Sequence, residues 1–167
     1  MNSLLARIAV LATGVILTGG VAAQNANPVG VWKLTSMAFA NVDTGEVTRA
    51  WGENPVGQLT YSAKGRMIAV LTADPKDRKP VAPAGDRATE ERAALYVSSS
   101  AYSGTWSAVG NTVTHKVDVA ANPAWLGTDQ VRYIQLDKDV LTIDTAPILG
   151  SDGKTRNRIT LVWRRVE

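Results

Sequence analysis

The chain is predicted to be all-β, an antiparallel β-barrel or sandwich of about nine strands with one helix inserted mid-chain. Three observations carry that expectation. Short runs in which apolar and polar residues alternate recur from Gly30 to Val166, the period of a half-buried strand. The runs are separated by compact turn signals such as Asp43-Thr44-Gly45-Glu46, Gly110-Asn111 and Asp137-Lys138-Asp139. Only Glu90 to Val97 has the composition of a helix, and no fixed-period repeat or low-complexity tract is visible.

The opening residues read as an export signal: a positive charge at Arg7, an apolar run from Ile8 to Val21, and small residues Val21 and Ala23 ahead of Gln24. Cleavage after Ala23 is expected, leaving a signal peptide over 1–23 and one domain over 24–167. A membrane anchor is the competing reading; the shortness of the run, the glycines Gly14, Gly19 and Gly20 inside it and the missing stop-transfer flank argue against it. With no cysteine, neither a lipid-bearing cysteine at the cleavage site nor a disulfide can form. The expected location is periplasmic or secreted, without stable membrane insertion after cleavage.

The first strand is expected over Gly30 to Ser36, with Trp32, Leu34 and Ser36 on one face. An extended run follows from Glu46 to Trp51, and Asn54-Pro55-Val56-Gly57 breaks the chain. A hairpin places Leu59 and Tyr61 on one face, turns at Ser62-Ala63-Lys64-Gly65, and returns with Met67, Ala69 and Leu71 on one side. Because Ile68 and Val70 make the other side apolar too, this strand is expected to be covered on both faces. Asp74 to Arg87, with Pro75, Pro80 and Pro83 among charges, cannot be a strand and is either a lid or a solvated connection. Acids at Glu90 and Glu91 ahead of Ala93, Ala94 and Leu95 suit a helix capped at Asp86 or Thr89, whose Ala93, Leu95, Tyr96 and Val97 should plug or cover the sheet. Strands are then expected over Tyr102 to Ala108, Thr112 to Val119, Gln130 to Leu136, Val140 to Thr145 and Asn157 to Val166.

Charge excludes several function classes. Removing Arg7 lowers the formal charge from +3 to +2, and the remaining charges are interspersed. A nucleic-acid binder would gather Lys and Arg on one face, and a membrane-surface binder would carry a long basic amphipathic helix. No Gly-x-Gly-x-x-Gly, no phosphate-binding Gly-Lys-Ser/Thr and no Gly-x-Ser-x-Gly sequence occurs, so no nucleotide cofactor and no serine-hydrolase elbow is expected. One histidine and no cysteine, with no spaced acidic motif, argue against a metal site.

Gly30-Val31-Trp32 resembles the Gly-x-Trp opening of lipocalins, and Leu161-Val162-Trp163-Arg164-Arg165 supplies an arginine that could lie across that tryptophan and close a barrel end. More narrowly, Asn54-Pro55-Val56-Gly57-Gln58-Leu59-Thr60-Tyr61, Gly65-Arg66-Met67, Tyr102-Ser103-Gly104-Thr105-Trp106, Val113-Thr114-His115 and Trp125-Leu126-Gly127-Thr128 with Arg132-Tyr133 resemble the lipocalin-like domain family of bacteria and fungi. The resemblance spans nearly all of 24–167. It implies a lipocalin-like β-barrel of about 8–10 strands and an interior that binds a small, mostly apolar or amphipathic molecule. Some neighbouring barrel families in biosynthetic pathways are cyclases or isomerases. Unlike secreted animal lipocalins, this chain has no disulfide and places a helix where they continue the barrel.

His115, the only histidine, shares the apolar side of its strand with Val113, Val117 and Val119, while Thr112, Thr114, Lys116 and Asp118 take the other. It therefore points inward, either as a hydrogen-bonded core residue or as a functional group. A dry wall would depress its pKa and keep it neutral, fit for a general base or a hydrogen-bond anchor. Tyr133 shares a face with Val131, and Arg132 with Ile134 and Leu136, so parity does not say which points inward. An internal Arg132 would call for a ligand carboxylate or phenolate, an external one for an acid on a neighbouring strand. Trp125, Trp106, Tyr61 and Tyr102 could line an aromatic cavity or serve as plain core. Three function classes stay open. The first is a binder in which His115 and Arg132 or Tyr133 fix the polar end of a ligand. The second is an isomerase, cyclase or dehydratase in which His115 moves a proton, and the third an assembly factor using an exposed strand edge.

Overall fold

The computed structural model describes residues 27–80, 88–150 and 153–167. The signal peptide expected over 1–23, the helix cap at Asp86 and the second half of the Asp74 to Arg87 loop lie outside the described residues.

Ten strands form one antiparallel sheet: β1 (Gly30–Asn41), β2 (Val47–Thr48), β3 (Val56–Tyr61), β4 (Arg66–Thr72), β5 (Ser99–Val109), β6 (Thr112–Ala120), β7 (Asp129–Asp137), β8 (Val140–Thr145), β9 (Ile148–Leu149) and β10 (Arg156–Arg165). The helix α1 (Ala88–Val97) enters between β4 and β5. Eight strands run β1-β3-β4-β5-β6-β7-β8-β10, and β10 pairs back onto β1 from Trp32↔Arg165 to Asn41↔Asn157, which closes an eight-stranded barrel. The short β2 and β9 pair with the far ends of β1 and β10. Closure leaves those eight strands without a free edge. No helix of the described residues is long and apolar enough to cross a membrane.

Alternation places the core as the sequence predicts on β3, β4 and the first half of β6, where Leu59, Tyr61, Met67, Ala69, Leu71, Val113, His115 and Val117 are all buried. Two bulges break the predicted pattern elsewhere. On β1 the register shifts between Leu34 and Ser36, so Thr35 is extra and Met37, not Ser36, takes the next buried position. On β6 the partners of Ser103 and Gly104 are Val119 and Val117, so Asp118 is extra and Val119 is turned out to 61% exposure. A bulge inserts one residue and reverses the alternation beyond it. At the β6 bulge the Lys116 carbonyl lies so close to Gly104 that a Cβ there would overlap it, and the extra Asp118 pairs with Arg66 across the sheet.

Two further expectations are corrected. The outer face of β4 is not covered: Ile68 and Val70 are 46% and 45% exposed, because the barrel is a single layer and nothing packs outside it here. The helix starts at Ala88, one residue before Thr89, and does not plug the sheet. It is tied by its last turn, where the Ser98 and Ser99 hydroxyls donate to the carbonyls of Ala94, Leu95 and Tyr96, so Tyr96 and Val97 stand exposed at the barrel's rim.

One end of the barrel is closed by Trp32, which is fully buried and donates Nε1–H to the Pro28 carbonyl at 2.8 Å. The Arg165 guanidinium lies 4.1 Å over its ring, the cation–π closure expected from the sequence. Gly30 makes this end possible: its φ is +141°, and a Cβ would meet both the Arg165 guanidinium and the Glu167 carbonyl oxygen. Gly30→Ala should therefore cost about 2 kcal/mol or more, read as a lowered midpoint in thermal or urea unfolding. An unchanged midpoint would mean that this end is not packed as described.

Candidate functional site

The barrel is solid at the Trp32 end and hollow at the other. Along β1 the cavity is lined by Met37, Phe39 and Asn41 but not by Trp32 or Leu34. Along β4 it is lined by Ala69 and Leu71 but not by Met67. The hollow measures about 780 Å³, inside the roughly 300–1,000 Å³ range of small-molecule sites. Its rim holds exposed Glu46, Thr48, Tyr96, Val97 and Leu149. Its floor brings together Leu59, Tyr102, His115 and Arg132.

His115 is 1% exposed, and both ring nitrogens are engaged: the Tyr61 hydroxyl lies 2.7 Å from Nε2 and the Tyr102 hydroxyl 3.0 Å from Nδ1. Burial, with the Arg132 charge adding to it, pushes its pKa down to about 3, so the ring is neutral near pH 7. A neutral imidazole donates from one nitrogen and accepts at the other. Tyr61 decides which. It is 1% exposed, takes no part in the cavity wall, and has His115 as the only side-chain partner of its hydroxyl among the described residues. Its O–H must donate to Nε2, since the alternative would bury that hydrogen without an acceptor. Nδ1 then carries the proton and donates to the Tyr102 oxygen, which leaves the Tyr102 O–H free to point into the cavity that Tyr102 lines. Burial raises the pKa of both phenols, most strongly at Tyr61, against the opposing charge of Arg132.

Arg132 points inward, which parity along its strand left open. It pairs with Val113 across β6 and β7 and with Thr145 across β7 and β8, and is 9% exposed. Its guanidinium donates to the Val131 carbonyl at 2.9 Å and to Gln130 Oε1 at 3.4 Å, both neutral. None of the ion pairs among the described residues involves it. A buried cation without an anion is costly.

The remaining residues singled out from sequence divide. Trp125, in the turn after β6, lines the cavity and meets Tyr102 edge-on at 5.3 Å. Trp106 packs against Tyr61 at 5.1 Å and donates Nε1–H to the Ser62 carbonyl; it and Tyr61 stand behind His115, outside the wall. Tyr133 is corrected: it neighbours an inward Arg132 on the same strand, so it faces outward, 50% exposed, and cannot share this site. Sequence reading missed Trp163 and Thr145. Trp163 is 2% exposed and part of the wall, and its Nε1 is buried without a partner among the described residues. Alternation along β10, which puts Leu161, Trp163 and Arg165 on one face, is the signal that could have found it. Thr145 is buried beside Arg132 and accepts the Ile159 N–H at 3.0 Å.

A comparison with curated proteins finds no match. A family profile, described as a lipocalin-like domain, matches residues 29–166, which is the whole barrel from Gly30 to Arg165. By that match and by the closed barrel with its hollow, the chain belongs to the lipocalin-like domain family.

Proposed function

We propose that the protein is exported to the periplasm or beyond and binds one small, mostly apolar molecule inside the barrel. The cavity carries this reading: a hollow of about 780 Å³ walled largely by Met37, Phe39, Leu71, Ile143, Ile159 and Leu161, in a family whose barrel suits small ligands. Export rests on the Arg7 to Ala23 pattern. Binding is placed ahead of isomerase, cyclase or dehydratase chemistry because both nitrogens of His115 already hold tyrosine hydroxyls, so the ring has no free edge to take a substrate proton. Assembly through a strand edge has less support still, since the eight barrel strands close on one another.

Native mass spectrometry of gently purified protein should show a single bound small molecule, and titration with N-phenyl-1-naphthylamine, an uncharged fluorescent probe, should saturate at one per chain. Ser100→Trp, which puts an indole into the hollow from a wall position paired with inward Leu71, should weaken that binding about tenfold or more. A barrel that takes up neither ligand nor probe would overturn the reading.

A further inference from the structure

We propose that the ligand carries an anionic head, a carboxylate, sulfonate or enolate, and enters head-first to seat it on Arg132 and Tyr102 at the cavity floor. The inference deepens the binding reading and rests on it. It follows from the fixed charge and the donor hydrogens that the buried wall presents. Arg132 has donors only, and no carboxylate of the described residues pairs with it. The Tyr102 oxygen accepts from His115 Nδ1–H and faces the Arg132 guanidinium, which leaves its O–H to donate into the cavity. Thr145, opposite Arg132, accepts the Ile159 N–H and keeps a hydroxyl hydrogen to give. Trp163 Nε1, elsewhere on the wall, is a buried donor with no acceptor among the described residues.

Among the described residues the buried polar and charged ones are Asp74, His115, Arg132 and Thr145, and of these Asp74 is not part of the wall. The carboxylate that does line the cavity, Glu46, stands exposed at the rim. The floor thus presents donor hydrogens around one fixed positive charge, and an uncharged hydrocarbon would leave that charge without an anion and the Tyr102 and Thr145 hydroxyl hydrogens unmatched. The chain Tyr61 to His115 to Tyr102 gives the set a direction. Each group donates toward the cavity, so each bond polarises the next and strengthens the last donor. His115 is here a positioning residue: both its ring nitrogens are taken up by tyrosine hydroxyls, and it turns the Tyr102 hydroxyl hydrogen inward. Above the floor the wall turns apolar with Met37, Leu71 and Leu161, which fits a head-down amphipath with its hydrocarbon toward the mouth.

The test uses two probes that share one ring system. 1-Anilinonaphthalene-8-sulfonate carries an anionic head and N-phenyl-1-naphthylamine has none. The wild-type protein should bind the sulfonate roughly 10- to 100-fold more tightly, as a charged hydrogen-bonded head group warrants. Arg132→Met should erase that preference, read as the ratio of the two probe affinities on the same variant. Tyr102→Phe, which removes a single hydroxyl, should cut the preference by a factor of about 3–10, and it carries the test if Arg132→Met does not fold. Equal wild-type affinity for the two probes, or a preference that survives both substitutions, overturns the head-group assignment and leaves cavity binding standing. Uptake of neither probe overturns cavity binding itself. The positioning role of His115 has its own readout: imidazole ¹⁵N resonances of the untagged protein, unambiguous with one histidine in the chain, should show a protonated Nδ1 and a bare Nε2. The opposite tautomer would remove the Tyr102 donor and with it the relay.

Discussion

Acidification from about pH 7 to about pH 4.5 should cost the folded protein roughly 2–3 kcal/mol, and His115→Gln should abolish that dependence. The sign follows from where the proton goes. In the folded barrel the imidazole, dried by burial and repelled by Arg132, has its pKa pushed down from an ordinary 6.5 to about 3. In the unfolded chain it titrates normally. Between those two values the unfolded state binds the extra proton, so its free energy falls relative to the fold. The stabilisation is fully present above about pH 6.5 and drains away as the pH drops toward the folded value, at about 1.4 kcal/mol per pH unit. Carboxylates enter lower down: Asp118, held below its usual range by the hydrogen bond from Arg66, contributes stability that is lost only as the pH falls below about 4. The interval from about 6.5 to 4.5 therefore isolates the histidine. Glutamine suits the control, because its carbonyl can accept from Tyr61 and its amide can donate to Tyr102 without taking up a proton. Urea midpoints measured across the interval decide it. A wild-type curve as flat as that of His115→Gln would place the imidazole in water and break the network that orders the cavity floor. The alkaline side mirrors this. Tyr61 and Tyr102 have raised phenol pKa values, chiefly by burial, so their stabilisation is complete below the ordinary value of 10 and is lost as the pH climbs past it.

The barrel was legible because its information is local. Alternation on β3 and β4, turn residues at Asp43-Thr44-Gly45-Glu46 and Asp137-Lys138-Asp139, and the break in pattern at Glu90 each act over a few residues, and each is visible without knowing what lies across the sheet. The bulges were not, since an extra Thr35 or Asp118 differs in no way from an ordinary strand residue; only the partner strand's register reveals it. The same limit hid the direction of Arg132. Residues paired across a sheet share a face, so His115↔Gln130 would have put Gln130 and then Arg132 on the imidazole's side. That register depends on how many residues the turn from Ala121 to Thr128 consumes. The site itself is less legible still. Tyr61 reaches His115 from β3, with β4 and β5 between it and β6 in the sheet, through a contact that closure of the barrel creates. Sequence could nominate Tyr61, Tyr102, His115 and Arg132 one by one, but it could not show that the first three form a chain of hydrogen bonds ending beside the fourth.

Trp32→Ala should lower stability by about 3–5 kcal/mol, the range for deleting a fully buried tryptophan, while leaving probe binding nearly intact in the protein that remains folded. The indole is fully buried and is held three ways: by the core around it, by its hydrogen bond to the Pro28 carbonyl, and by the Arg165 guanidinium over its face. Alanine would leave a void that the seam between β1 and β10 cannot collapse to fill, because Trp32 pairs directly with Arg165 at its very end. Arg165 would keep its hydrogen bond to the Val29 carbonyl at 2.6 Å and its contact with Asp139 at 3.6 Å, so the charge stays partnered and the loss is mainly packing. A double-mutant cycle with Arg165→Met separates the stacking contribution, expected at about 1–2 kcal/mol. Binding should survive because Trp32 is absent from the cavity wall, which on this strand begins at Met37. The two readouts move independently only if the barrel has a solid end that stabilises it and a hollow end that binds. A Trp32→Ala protein that stays fully folded yet loses N-phenyl-1-naphthylamine would show that the hollow reaches the Trp32 end, and the floor built on His115 and Arg132 would have to be given up.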